Sequence, residues 1–380
     1  MKLSTERILT THVGSLPRPQ DVSDMLLAKE NETLADQGAF DACMVSAVAD
    51  VVRRQVDAGV DIVSDGEMSK SGYSTYVTER LHGFAGDSER KMPRDMEMFP
   101  AYVQRVAAMG EAPRVRRAPC VSEISIKDEA PLRKDLANMA AALDEAGAVE
   151  GFMNAASPGV IAFFQPNEYY PSEDAYLDVL CEMMKPEYEA IHAAGLVIQL
   201  DCPDLAMTRH SIHKDKSDAE FVAVAERNIE VLNASLENVP AEAARLHLCW
   251  GNYEGPHVCD IALDTIYDTV MKAKPQAISF EAANPRHAHE WTVFQERGLP
   301  EDKVLIPGVI DSVSNFVEHP ALVAERICRF ADIVGRERVL AGGDCGFGTF
   351  AGFGRVDSEI VYAKLGALAE GAALASDRLW

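Results

Sequence analysis

The stretch DAGVDIVSDGE at residues 57–67 decides the fold, because its pattern returns as EAGAVEGFMNAAS (145–157) and AAGLVIQLDCPD (193–204). Each time a helix-like run closes on Ala-Gly and passes straight into an apolar strand. Glycine tolerates the left-handed backbone that ends helices, so Gly59, Gly147 and Gly195 are predicted helix stops. Further out, Leu132, Leu136, Met139 and Leu143 keep helical spacing, the mark of an amphipathic helix packed on a sheet. Ser172, ahead of Glu173 and Asp174, reads as the N-cap of the next helix. Apolar strand candidates fall at 8–13, 60–65, 149–155, 196–201, 245–250, 277–281, 304–309 and 338–343. Eight strands alternating with helices predict an α/β fold, the (β/α)8 TIM barrel. That fold typically needs roughly 250 residues. Much of the surplus lies at 68–145, predicted as an elaborated insertion over the C-terminal mouth. No Pro- or Ser-rich linker divides the chain, so residues 1–380 are read as a single catalytic domain.

Barrel enzymes place their chemistry at the C-terminal ends of the strands. There this sequence sets Gly14-Ser15, Asp65-Gly66-Glu67, Asp201, His247 with Cys249, Glu281, Asp311 and Cys345. In RLHLCW a His-x-Cys pair at a strand end puts both side chains on one face, since strand side chains alternate with period two. His247, Cys249, Glu281 and Cys345 are therefore read as one zinc site. Zinc favours imidazole and thiolate, and a catalytic site keeps a position for water or substrate. Two thiolates in the shell point to a sulfur substrate.

Composition narrows the partners. There are 36 Lys plus Arg against 60 Asp plus Glu, a net charge of −24, which argues against nucleic acid or an anionic membrane surface. Small molecules are the expected partners, and a homo-oligomer is compatible with the sequence. No run approaches the roughly 18 apolar residues of a membrane span, and MKLSTERILTTHVGS lacks a signal-peptide apolar core, so a cytoplasmic location is expected. The eight irregularly spaced cysteines do not form the framework of a small secreted domain.

TTHVGSLPRP, the DGE at 65–67, HLCWGNY, the SFE at 279–281, IPGVID at 306–311 and GGDCGFGT at 342–349 together resemble, in order, the catalytic barrel of cobalamin-independent methionine synthase. The similarity spans nearly the whole chain and fits the stand-alone catalytic-barrel branch, which also holds epoxyalkane:coenzyme M transferase. The resemblance implies zinc held by His247, Cys249 and Cys345, with Glu281 as a displaceable fourth ligand. It implies that Gly14, Ser15, Glu67 and Asp201 hold the amino-acid end of a homocysteine-type thiol, and that the methyl donor is a reduced folate or another methylated compound. The chain departs from the family where Asp201-Cys202-Pro203-Asp204 replaces an Asp-Glu-Pro motif, and where Gly346-Phe347-Gly348-Thr349-Phe350 replaces basic residues. Two other functions stay open: addition of a thiol to an epoxide, and a non-catalytic zinc-binding barrel.

Plainer readings stand beside these. Cys43, Cys181 and Cys328 lie in helical patterns and read as small buried side chains, while Cys202 either lines the pocket or packs in the core. Glu281 either meets the metal or pairs with Arg286. His12 is a candidate catalytic proton shuttle beside Ser15, or simply a hydrogen-bonded residue; His257 reads as hydrogen-bonded. Asp311 is a candidate for orienting the ligand histidine. Trp250, Tyr253 and Phe347 are candidates for an apolar wall, Trp250 as a substrate contact, or for ordinary packing. The His210, His213, Lys214, Lys216 cluster reads as a solvated loop in which His210 could cover the site. Arg114, Arg116, Arg117 and Lys127 could form a local cationic patch.

Overall fold

A computed structural model describes residues 1–108, 116–352 and 354–380; Arg114 lies outside the described residues. Nine strands are assigned among them: β1 (Ile62–Val63), β2 (Leu81–Phe84), β3 (Cys120–Ile126), β4 (Glu150–Ala156), β5 (Val197–Cys202), β6 (Ala244–Leu248), β7 (Ala277–Phe280), β8 (Val304–Ile310) and β9 (Gly342–Gly343). Seven form one curled parallel sheet in the order β1-β4-β5-β6-β7-β8-β9. The antiparallel pair β2/β3 lies between β1 and β4 in the chain, inside the predicted insertion. Strands β5 to β8 are buried along their whole length, as parallel strands covered on both faces must be, which is why they read as apolar runs.

The predicted strand at 8–13 makes no continuous ladder. Its segment instead bridges both edge strands, Thr10 with Ala341 and Thr11 with Ile62. The reason is local: the Asp61 carboxylate accepts the Thr10 N–H at 2.9 Å, and the Thr10 hydroxyl donates to the Gly59 carbonyl at 3.1 Å, so side chains replace ladder partners. The candidate at 338–343 likewise shrinks to Gly342–Gly343.

The three predicted helix stops all have positive φ, 87° at Gly59, 64° at Gly147 and 78° at Gly195. Helix Ala130–Ala146 buries Leu132 and Met139, with Leu136 and Leu143 partly buried against the same core. Ser172 caps helix Glu173–Ala193 by accepting the Ala175 N–H at 3.1 Å. That helix sinks Tyr176, Leu180, Met184, Tyr188 and Ile191 into the core, each worth about 1.5–3 kcal/mol of apolar burial.

Register carries the sheet into the site. Asp201 on β5 pairs with His247 on β6, which pairs with Ser279 on β7, so the polar residues of neighbouring strands arrive at one level. Below them Arg245 is fully buried, its guanidinium donating to Gln199, Thr11 and the His12 carbonyl and lying 3.5 Å over the Phe152 ring. Burial pulls its pKa down to about 9.

Candidate metal centre and the cavity before it

His247, Cys249 and Cys345 bring their ligand atoms within 4.8 Å of one another, and all three are buried. The two sulfurs lie 3.7 Å apart, and the Gly251 N–H points at the Cys249 sulfur from 3.3 Å. Donation from Cys345 holds Cys249 below its ordinary value, while the hydrogen bond with Cys249, burial and the Cys249 charge push Cys345 well up. Burial draws the His247 pKa down to about 4, so it stands as the neutral imidazole a metal needs. Neither of its ring nitrogens has a hydrogen-bond partner among the described residues. A buried imidazole with two idle nitrogens costs desolvation energy unless something else binds it.

Glu281 stands outside that group. Its Oε1 accepts the Trp250 N–H at 2.9 Å, and its Oε2 accepts Asn284 Nδ2 at 2.8 Å; Arg286 is not its partner. Asp344, beside Cys345, accepts the backbone N–H groups of Ala282, Ala283 and Asn284, each at 2.8 Å, and so ties the Glu281 loop to the β9 end.

The triad forms the inner end of a cavity of about 1230 Å³, whose walls include Ser15, Glu67, Tyr73, Asn154, Asp201 and Tyr253. Its volume exceeds that of typical single-ligand pockets, leaving room for two reactants. Glu67 sits at a φ of 58° with its Oε2 3.6 Å from Arg18. Burial pushes its carboxyl up to about 8 although Arg18 opposes the shift. Burial also raises Asp201, whose oxygens accept from Asn154 at 2.8 Å and Gln199 at 2.7 Å. Asn154 Oδ1 is buried and has no hydrogen-bond partner among the described residues.

Other predicted residues stand behind this wall. His12 accepts the Gly14 N–H at Nδ1 (3.1 Å), so its Nε2 proton goes to Gln55 (2.6 Å); burial lowers its pKa to about 3, and both ring nitrogens are engaged in hydrogen bonds. Gly14 presents its carbonyl to the Ser64 hydroxyl. Asp311 accepts the N–H groups of Val313 and Ser314, both at 3.0 Å, and so caps its own turn rather than orienting His247. Trp250 is fully buried, donating from Nε1 to the Ile261 carbonyl and stacking on His287 at 4.2 Å. Cys202 and Phe347 pack in the core, outside the cavity lining.

The sequence reading missed Arg18, Asn154, Asp344 and a histidine cluster on Asp260. Asp260 Oδ2 meets His257 Nδ1 at 2.8 Å and His287 Nε2 at 3.0 Å; His210 Nδ1 lies 3.2 Å from Oδ1 but misaligned for a hydrogen bond. His257 is carried up to about 9 and His287, which also meets Glu290, to about 10 against the burial that opposes them. Tyr253 and the His257 N–H both bond Asp95, joining this loop to the short helix Arg94–Met98. His210, His257, Asp260 and His287 are spread over residues 210–287, so no local pattern in the sequence announces the cluster.

A curled parallel sheet bearing two thiols and an imidazole at its C-terminal edge defines an α/β protein with a candidate soft-metal centre. The chain belongs to the cobalamin-independent synthase family, matching its catalytic domain over residues 8–356. The methionine synthase of Thermococcus kodakarensis is 25% identical over 362 residues, which cover 94% of this chain and 90% of that protein. That of Sulfolobus acidocaldarius is 25% identical over 340 residues, 89% of this chain and 85% of its own length. The fold is similar to that of a B12-independent methionine synthase from Shewanella sp. W3-18-1 in complex with selenomethionine, with a TM-score of 0.73 and 18% identity over 98% of this chain and 99% of the other. Among the described residues no helix is long and apolar enough to cross a membrane.

Proposed function

We propose that this chain is a zinc-dependent enzyme that moves a methyl or other alkyl group onto a thiol, with a homocysteine-type amino-acid thiol as acceptor. The observation that carries this is the buried convergence of His247, Cys249 and Cys345, with both His247 nitrogens idle, at the inner end of a two-reactant cavity. Two thiols and a neutral imidazole suit zinc, and three protein ligands leave a position open. Zinc there would lower the pKa of a substrate thiol and keep it a nucleophilic thiolate at neutral pH.

The chain's own residues would do the rest. Glu67, Asp201 and the idle Asn154 carbonyl face one region of the cavity and suit an ammonium group, which would restore ionisation to the two carboxylates. The Ser15 hydroxyl lines the same end. Glu281, held by Trp250 and Asn284, would serve as the exchangeable fourth ligand through a lone pair those hydrogen bonds leave free. The carboxylates weigh against a sulfonate thiol such as coenzyme M, and the open cavity weighs against a closed structural zinc site. The methionine synthases among its relatives support the same acceptor. The bridges from Thr10 and Thr11 to both sheet edges support a closed eight-membered barrel, with residues 1–380 as one domain. The eight free cysteines fit a cytoplasmic location.

The test is to incubate zinc-loaded protein with homocysteine and a panel of methyl donors, reduced folates included. Methionine formed from one donor supports the reading. No methionine from any donor, together with tight binding of a different thiol, overturns homocysteine as acceptor.

A further inference from the structure

Residues 15–18 are stitched to two loops at once. The Leu16 N–H donates to the Gly66 carbonyl at 3.1 Å, and the Ser15 carbonyl accepts the Phe347 N–H at 2.8 Å. The packing leaves no room for side chains on the second loop: a Cβ on Gly346 would collide with the Ser15 hydroxyl, and one on Gly348 would lie 2.6 Å from the Leu16 carbonyl oxygen. The segment therefore fixes the Glu67 loop against the loop that carries Cys345.

Arg18 closes this stitch. Its side chain is 2% exposed and stands behind the cavity wall rather than in it. Nε donates to the Glu67 carbonyl at 3.0 Å and Nη1 to the Gly348 carbonyl. With the guanidinium plane held by these two bonds, Nη2 stops 3.6 Å from Glu67 Oε2, and neither atom has a hydrogen-bond partner among the described residues. Charge-assisted hydrogen bonds close to about 2.7–2.9 Å. Here the cation is near enough to act through its charge yet too far to capture the carboxylate. Glu67 needs that charge: burial drives its carboxyl toward the neutral form, Asp201 and Asp65 add to the push, and Arg18 opposes it more than Lys70 does. Lys70 is turned to Asp65, 3.6 Å from its Oδ2. Tyr73, the remaining titratable group that feels the Glu67 charge, is itself held neutral by burial.

We infer that Arg18 is a positioning residue for the substrate's amino group: pinned on two backbone carbonyls, it lends Glu67 its positive charge while leaving the carboxylate free to meet an incoming ammonium. This rests on the reading of Glu67 as part of the ammonium site. A lysine at this position would keep the charge but lose the planar grip on two carbonyls, and a neutral side chain would lose both.

Infrared difference spectra of the zinc-loaded protein across a pH series test this, with E67Q as the blank that identifies the Glu67 band. In the parent the band of the protonated carboxyl should fade with a midpoint near about pH 8. R18Q should move that midpoint up by about one unit or more, and L-methionine should then bind about tenfold or more weakly at pH 7, the equivalent of one unit. R18K should keep the midpoint within about half a unit of the parent, a readout that a merely structural role for Arg18 would not separate from R18Q. R18M, an apolar chain of similar reach, gives a second route should R18Q fold poorly, and it too should raise the midpoint. A folded R18Q or R18M whose Glu67 band titrates as in the parent, or an R18K midpoint displaced as far as that of the neutral variants, overturns the inference. A parent whose Glu67 band titrates as expected, and moves in R18Q, but which binds no L-methionine would strike the amino-acid reading of the site and leave the charge supplied by Arg18 standing.

Discussion

Replacing Asp260 by Asn removes the one negative charge on which His257 and His287 both lean. The carboxylate is 1% exposed and bonds them at 2.8 and 3.0 Å. Breaking a buried charged pair from one side costs about 3–5 kcal/mol, but Asn keeps one carbonyl acceptor, so a loss of roughly 3 kcal/mol is expected near neutral pH. The pH dependence has a definite sign. Both histidines have folded-state values, about 9 and about 10, above the ordinary 6.5. Their contribution is therefore complete below about pH 6.5 and is lost as pH rises through 9 to 10. Asp260 is held below its ordinary range, so its share is present above about pH 4 and is lost on acidification. The two histidines share one carboxylate, and their shifts do not sum. Urea unfolding of parent and D260N at pH 7 and pH 10 reads the effect, with groups common to both cancelling in the difference. The gap should shrink from roughly 3 to about 1 kcal/mol between those pH values. A gap below about 1 kcal/mol at pH 7, or one unchanged at pH 10, would refute the cluster's role as a charged clamp.

Three further outcomes follow from the geometry. Gly14→Ala places a Cβ 2.5 Å from Asn154 Cγ at a φ of 132°, so thermal unfolding should show a loss of about 2–4 kcal/mol with weakened thiol binding. Cys345→Ser should lower zinc affinity by about 100-fold or more in competition with a chelator, because a soft ligand is lost from a three-residue set. L-Methionine, offered as a thiol-free amino acid, should bind more tightly as pH rises from 6 to 8, by up to about tenfold per unit, because Glu67 must ionise to meet the ammonium. E67Q should bind it weakly and without that slope in the same titration.

What could be read in the sequence was what periodicity encodes. The period-two spacing of His247 and Cys249 on β6 and the Ala-Gly helix stops depend only on neighbours in the chain. The placement of Cys345 near Cys249 could be read because the parallel strands of the curled sheet bring their C-terminal ends to one edge. Long-range pairings could not be read this way. Arg18 reaches Glu67 only because Leu16 N–H bonds the Gly66 carbonyl, and nothing in SLPRP announces it. Asp311 reads in the sequence as a carboxylate that orients the ligand histidine, yet the N–H groups two and three residues on are its partners in the fold. The strand at 8–13 was sought as an apolar run, but Thr10 and Asp61 bond each other through side chains and shorten the ladder to bridges.

X-ray absorption at the zinc edge, with and without homocysteine, tests the central claim most directly. Protein loaded with one zinc should show two sulfur ligands, from Cys249 and Cys345, with His247 and one light ligand completing the shell. Added homocysteine should raise the sulfur count to three and remove the light ligand. A shell with fewer than two sulfurs, or one that homocysteine leaves unchanged, would contradict the account.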